Sequence, residues 1–253
     1  MPSALDVTSD SEFIKDFVIG PPGTGKSVFA STFPTPGYVF DFALGIITYR
    51  GLNFDYDQFP MNGQGWVQFE KRLNLLDEEV RAEGKYITVV VDDITGMQAL
   101  CMQRCLQLDP KRSNVGGPIW NVHYSMVRNL LEGKLRMIID LPCNILLLAH
   151  MDVKIDNETG AVLSIEPLMT GQLPTVITGY FDEVYYTSTR KAEGKTVWVV
   201  QTIPIGLKNA RSRLSGKQRL LPDFVENDYN ILMKHVNRAK QTIKKEKEEK
   251  KNG

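Results

Sequence analysis

Four short runs rich in β-branched and aromatic residues punctuate the first 150 positions: FIKDFVIG (13–20), GYVFDF (37–42), YITVVVDD (86–93) and NILLLAH (144–150). The last two are nearly continuous hydrophobes, the pattern of strands buried on both faces. The chain is therefore read as an α/β fold with a mostly parallel central sheet flanked by helices. Helical spacing is expected in the segment after the glycine-rich turn at 20–27 and over 64–82, 95–108 and 120–140. The last of these predicts one buried stripe of Trp120, Tyr124, Val127, Leu131, Leu135 and Ile138, ending before Pro142. Beyond residue 160 the texture shifts to FDEVYYTST and KTVWVVQTI joined through RKAEGK, a hairpin pattern that gives the sheet an antiparallel edge. One domain over residues 13–238 follows from this, with an extension at 1–12 and a charged tail at 239–253.

Composition narrows the picture. The 253 residues suffice for one substantial core, and 30 basic against 30 acidic residues leave no global positive field, so any nucleic-acid contact has to come from local patches. Cys101, Cys105 and Cys143 form no C-x-x-C pair and are read as reduced core thiols. The start MPSALDVTSDSEF lacks a basic segment followed by an apolar run, and no stretch approaches the roughly 18 apolar residues of a membrane span. A soluble, cytoplasmic protein is expected. The tail KQTIKKEKEEKKNG has three more lysines than glutamates and reads as a solvated helix, a disordered end or a nucleic-acid arm.

Chemistry enters with GPPGTGKS, comprising Gly20, Pro21, Pro22, Gly23, Thr24, Gly25, Lys26 and Ser27. It fits G-x-x-x-x-G-K-[ST] between a strand pattern and a helix pattern. The glycines let consecutive N–H groups face phosphate oxygens, Lys26 reaches the β and γ phosphates, and the Ser27 hydroxyl ligates Mg²⁺. Such a site needs a carboxylate at the end of a buried strand, since Mg²⁺ keeps most of its waters and takes one or two protein oxygens. TVVVDD supplies Asp92 for the metal or its water. Asp93 either orients the attacking water or caps the following helix. His150, at the tip of NILLLAH, is placed either to feel the γ-phosphate or as an ordinary surface histidine.

The ordered set GPPGTGKS, VVVDD, LLLAH and LKNARSR resembles the RecA-like P-loop ATPases of phages, particularly the Sak-type single-strand annealing and recombination ATPases, over roughly residues 14–225. The resemblance implies ATP and Mg²⁺ as cofactors, single-stranded DNA as a partner, an accompanying single-strand-binding protein, and a homo-oligomeric ring or filament with nucleotide between subunits. It implies the host cytoplasm as location if the gene is a phage's. It makes His150 the γ-phosphate sensor and Lys208, Arg211 and Arg213 fingers toward a neighbour's nucleotide, where a cation stabilises charge developing on the phosphoryl oxygens. It puts DNA contacts in the segments after the carboxylate and sensor strands, at Lys111, Arg112, Trp120 and Lys154, although Asp152, Asp156, Glu158 and Glu166 make the second segment a poor electrostatic track. The family's D-x-E motif is broken: Asp41 is followed two residues later by Ala43, so Asp41 or Asp93 takes the glutamate's role or hydrolysis is slow.

Annealing and recombination therefore lead the functional expectation. A helicase loader or similar remodelling ATPase comes next. A small-molecule P-loop kinase and a nucleotide-locked structural switch are further alternatives, the kinase disfavoured by the lack of an Arg-rich lid or acceptor motif between the carboxylate and sensor strands.

Overall fold

The computed structural model describes residues 13–192, 194–214 and 221–252; the extension at 1–12 lies outside them. In chain order the strands are β1 (Lys15–Ile19), β2 (Gly37–Asp41), β3 (Phe54–Asp57), β4 (Thr88–Asp92), β5 (Asn144–Ala149), β6 (Met151–Ile155), β7 (Val162–Pro167), β8 (Glu183–Ala192), β9 (Lys195–Gln201), β10 (Arg211–Ser212) and β11 (Phe224–Glu226). The helices are α1 (Lys26–Ser31), α2 (Gly63–Glu83), α3 (Ile94–Leu108), α4 (Ser125–Ile139), α5 (Leu173–Thr178) and α6 (Tyr229–Asn252).

Nine strands make one sheet in the order β11-β9-β8-β1-β5-β4-β2-β3, with β10 also pairing β8. The run from β3 to β8 is parallel. Strands β9, β10 and β11 add the antiparallel edge. This is the mixed α/β architecture expected of a RecA-like P-loop fold. Alternation along β1 explains the near-continuous hydrophobic runs: Phe17 and Ile19 enter the core beneath α2, α3 and α4, while Val18 enters the one beneath α1 and α6. A residue on either face meets apolar neighbours, so period-two patterning disappears.

The connecting helices are set by local chemistry. Asn62 caps α2 by accepting from the N–H groups of Gln64 and Gly65 at 3.0 and 3.1 Å, and Gly84 ends the helix in the left-handed region at φ 61°. Between them Trp66, Phe69, Leu73, Leu76 and Val80 are buried at helical spacing. Each stabilises the fold by about 2–3 kcal/mol relative to an exposed side chain. The three cysteines are buried and free, as expected.

The stripe predicted from residue 120 begins later. Val127, Leu131, Leu135 and Ile138 are buried as expected, but Trp120 is 65% exposed, and fully buried His123 takes the inward position. A π-helical turn over Trp120–Tyr124 shifts the phase of the first turn against the α-helix that follows. His123 Nδ1 accepts from Ile119 N–H at 2.8 Å, which leaves Nε2 to donate to the Asp109 carbonyl at 2.9 Å. The imidazole thereby ties the end of α3 to the start of α4. Two further elements carried no usable sequence signal: the short edge strand β3, and the separate β6–β7 hairpin, which occupies the segment read as a DNA-facing loop. At the C-terminus the α6 backbone continues through the charged tail to Asn252. Among the described residues no helix is long and apolar enough to cross a membrane.

Candidate nucleotide-binding site

The parallel strands deliver the site to one edge. β5 lies between β1 and β4, so the turn after β1, Asp92 at the end of β4 and His150 just after β5 share the C-terminal rim of the sheet, where open α/β sheets bind ligands. Gly20 N–H donates to the Ala149 carbonyl at 3.1 Å and pins the loop's first residue to β5. Gly23 and Gly25 adopt φ of 76° and 87°, conformations glycine adopts without strain.

Lys26 is buried and its ammonium donates to the Gly20 and Pro21 carbonyls at 3.0 and 3.2 Å, closing the loop on itself. Burial lowers its pKa, opposed by the charges of Asp93 and Asp92. Asp92 is pushed up to about 6, chiefly by burial and secondarily by Asp93 and Asp41, while a hydrogen bond with Ser27 and one from Tyr49 Oη at 3.3 Å work the other way. Ser27 and Asp92, the two residues expected at the metal, thus lie close enough to influence each other. A buried carboxylate beside a hydroxyl fits a Mg²⁺ site that needs only these protein oxygens. The bound cation would neutralise phosphate charge; the chain's own contribution is to hold Ser27, Asp92 and Lys26 together beneath the loop.

Asp93 does two things at once. Its Oδ1 accepts from Gly96 N–H at 2.8 Å and caps α3, and its Oδ2 lies 2.9 Å from His150 Nε2. The backbone carbonyl of His150 accepts from Leu168 N–H at 2.8 Å, just beyond β7, so the Asp93–His150 pair joins the site to the base of the β6–β7 hairpin. Asp41 is engaged otherwise. Gly45 N–H, Ile46 N–H and the Gln58 amide donate to its carboxylate at 2.8, 3.2 and 2.6 Å, anchoring the 3-10 turn at Ile46–Tyr49. Ala43, at the position of the expected glutamate, donates its N–H to the Asp92 carbonyl at 3.0 Å.

The three proposed fingers differ in their partners. Arg211 donates from Nη2 to the carbonyls of Thr178 and Phe181 in its own chain and lines a cavity of about 220 Å³ with Glu166, Thr178 and Tyr186. Arg213 pairs with Asp182. Lys208 is half-buried, its pKa lowered by burial, and among the described residues it makes no ion pair. Of the expected DNA contacts, Arg112 folds back on the Leu106, Asp109 and Lys111 carbonyls at 3.1, 3.1 and 2.8 Å, Lys111 is exposed, and Lys154 pairs with Glu166 at 2.8 Å. The exposed Trp120 ring packs on Tyr124 with centroids 4.3 Å apart.

Sequence reasoning missed what the antiparallel edge brings. Trp198 Nε1 donates to the Gly23 carbonyl at 3.1 Å, Asn227 Nδ2 donates to the Gly25 carbonyl at 2.7 Å, and the Thr187 and Thr24 hydroxyls lie 2.7 Å apart. Those partners stand more than 160 positions away in the chain, and no local pattern announces them.

A profile for an AAA domain, AAA_24, matches residues 12–221. Among solved structures, a KaiC-like protein of the hyperthermophilic archaeon Pyrococcus horikoshii OT3 is similar at 12% identity and a TM-score of 0.43, over 84% of each chain. The flagellar accessory protein FlaH of Methanocaldococcus jannaschii is similar at 11% identity and a TM-score of 0.38, also over 84% of each chain. No curated protein matches. With the profile spanning most of the sequence and the phosphate loop seated at the sheet's C-terminal rim, the chain belongs to the AAA_24 family of AAA domains.

Proposed function

We propose that the protein is an Mg²⁺-dependent ATPase that assembles on single-stranded DNA and promotes annealing and homologous recombination. The observation that carries this reading is the link Asp93–His150–Leu168, which runs from the phosphate loop's carboxylate strand to the β6–β7 hairpin. A change in charge at the γ-phosphate position has a short polar route to a projecting element. With Asp41 committed to its turn, the Asp93–His150 pair is left to orient water, and turnover is expected to be slow.

Assembly with nucleotide between subunits is supported by Leu44 and Ile47, 73% and 68% exposed on the turn beside Asp92, an apolar pair that a neighbouring subunit would cover. Lys208, without an ion partner among the described residues, is the finger candidate. Lys208→Ala is expected to bind ATP normally and hydrolyse it roughly tenfold or more slowly, as for loss of a cation in trans.

DNA contact is assigned to the segment of Lys111, Arg112 and Trp120. A single-strand titration across salt concentrations tests it. Affinity should fall by about 0.7 log units per log unit of salt for each phosphate contact, and replacing Lys111 and Arg112 together should flatten the slope. ATP and a non-hydrolysable analogue should change affinity, and DNA should stimulate turnover. No DNA binding, or binding indifferent to salt, would refute the nucleic-acid role. The second reading, remodelling of a protein partner, is favoured by the acidic residues Asp152, Asp156 and Glu158 on the hairpin.

A further inference from the structure

Trp198 is a large apolar side chain left 44% exposed on the sheet face that carries α1, beside a loop built to hold phosphates. Its orientation is fixed from two sides. The indole N–H is bonded to the Gly23 carbonyl, and a Cβ added at Gly25 would stand 3.0 Å from the ring's Cγ, so only glycine leaves room for the indole against the loop. Next to it, Asn227 is 6% exposed; its N–H donates to the Trp198 carbonyl at 3.1 Å and its Nδ2 is used on Gly25, but its Oδ1 has no hydrogen-bond partner among the described residues. A held aromatic face and a buried, unsatisfied acceptor therefore lie side by side against the phosphate loop.

We propose that the exposed face of Trp198 is the platform on which the base of the bound nucleoside triphosphate stacks, with Asn227 Oδ1 accepting from a hydroxyl or amino donor of the nucleoside. This deepens the nucleotide reading and rests on it. Stacking on an indole tolerates any base but rewards overlap area, so the site prefers purine over pyrimidine nucleotides.

The test is calorimetric titration of the full chain with Mg²⁺ and, separately, ATP, UTP and inorganic tripolyphosphate, which keeps the phosphates and lacks the nucleoside. The wild-type chain is expected to bind ATP more tightly than UTP or tripolyphosphate. Trp198→Ala should weaken ATP binding about tenfold or more while leaving tripolyphosphate unchanged, and Trp198→Phe, which retains a ring but loses the bond to Gly23, should restore most of the ATP affinity. Equal losses for ATP and tripolyphosphate in Trp198→Ala would overturn the platform and make Trp198 a brace for the loop alone. Unchanged ATP affinity in that variant, or equal wild-type affinity for ATP and tripolyphosphate, would overturn it too. A wild-type chain that binds neither ligand would instead overturn the nucleotide reading itself, and the platform with it.

Discussion

Two pairs of buried carboxylates stand at opposite ends of the sheet. Asp92 and Asp93 sit at the C-terminal rim; Asp16 and Glu183 face each other across β1 and β8 near the N-terminal end, and all four are at most 3% exposed. The surroundings differ. At the rim, Lys26 lies within the field of both carboxylates, Ser27 and Tyr49 donate to Asp92, and Gly96 and His150 engage Asp93. At the other end, Glu183 takes the available donors, from Tyr185, Arg213 N–H and Leu214 N–H at 2.5, 2.8 and 3.0 Å, while neither oxygen of Asp16 has a partner among the described residues. Burial, then the charge of Glu183, drives the Asp16 pKa well above its usual range. Both places hold a pair of acids. A carboxylate near a cation and a hydroxyl is poised to exchange partners with a metal, and one beside only another acid keeps its proton.

Removing the cation from the rim should break the contrast most strongly. Lys26→Ala is expected to lower ATPase activity by roughly a hundredfold or more, as for loss of a preorganised charge at a developing anion, with the fold intact by circular dichroism. Retained activity would refute the site assignment.

The pH dependence of Mg²⁺–ATP binding sharpens it next. With its pKa at about 6, Asp92 is protonated below that pH and protons compete with the cation, so affinity should fall as pH drops through about 6 and hold steady above it. Asp92→Asn should weaken binding at neutral pH and flatten the profile. An unchanged profile would place the metal elsewhere.

The buried acid at the other end makes the opposite demand. Folded Asp16 keeps a proton that the unfolded chain releases above its ordinary value near 4, so folding takes up a proton and stability falls as pH rises from about 4 through the folded pKa. Asp16→Asn removes that cost: Tm should rise by a few degrees at pH 8 and barely move at pH 4. A lower Tm at pH 8 would mean that the Asp16 charge is compensated after all. The smallest effect on stability belongs to Asp93→Asn, since asparagine caps α3 as well as aspartate does. Thermal stability should stay within about 0.5 kcal/mol of wild type, while any coupling of turnover to DNA through His150 is reduced.

What could be read from the sequence follows the range of the interaction. The parallel core was legible because both-face burial writes itself as hydrophobic runs such as TVVVDD and NILLLAH, and the phosphate loop because its geometry is local to eight residues. Asp93 capping α3 is equally local. Trp198 and Asn227 against the loop depend on strand order at the antiparallel edge, and the Asp16–Glu183 pairing on the placement of β8 beside β1, neither of which any spacing encodes. The Trp120 stripe failed for a local reason of a different kind: a π-helical turn does not keep the 3.6-residue period on which the stripe was drawn. Arg211, expected to point toward a neighbour, instead donates to two carbonyls beside α5 because β10 pairs with β8.

The most direct test of the contrast is a calorimetric titration of ATP, with and without Mg²⁺, into the wild-type chain, Asp92→Asn and Asp16→Asn at pH 7.5. The account predicts that Mg²⁺ strengthens ATP binding to the wild-type chain and to Asp16→Asn alike and has little effect on Asp92→Asn. An equal Mg²⁺ response in all three proteins, or a response lost only in Asp16→Asn, would contradict it.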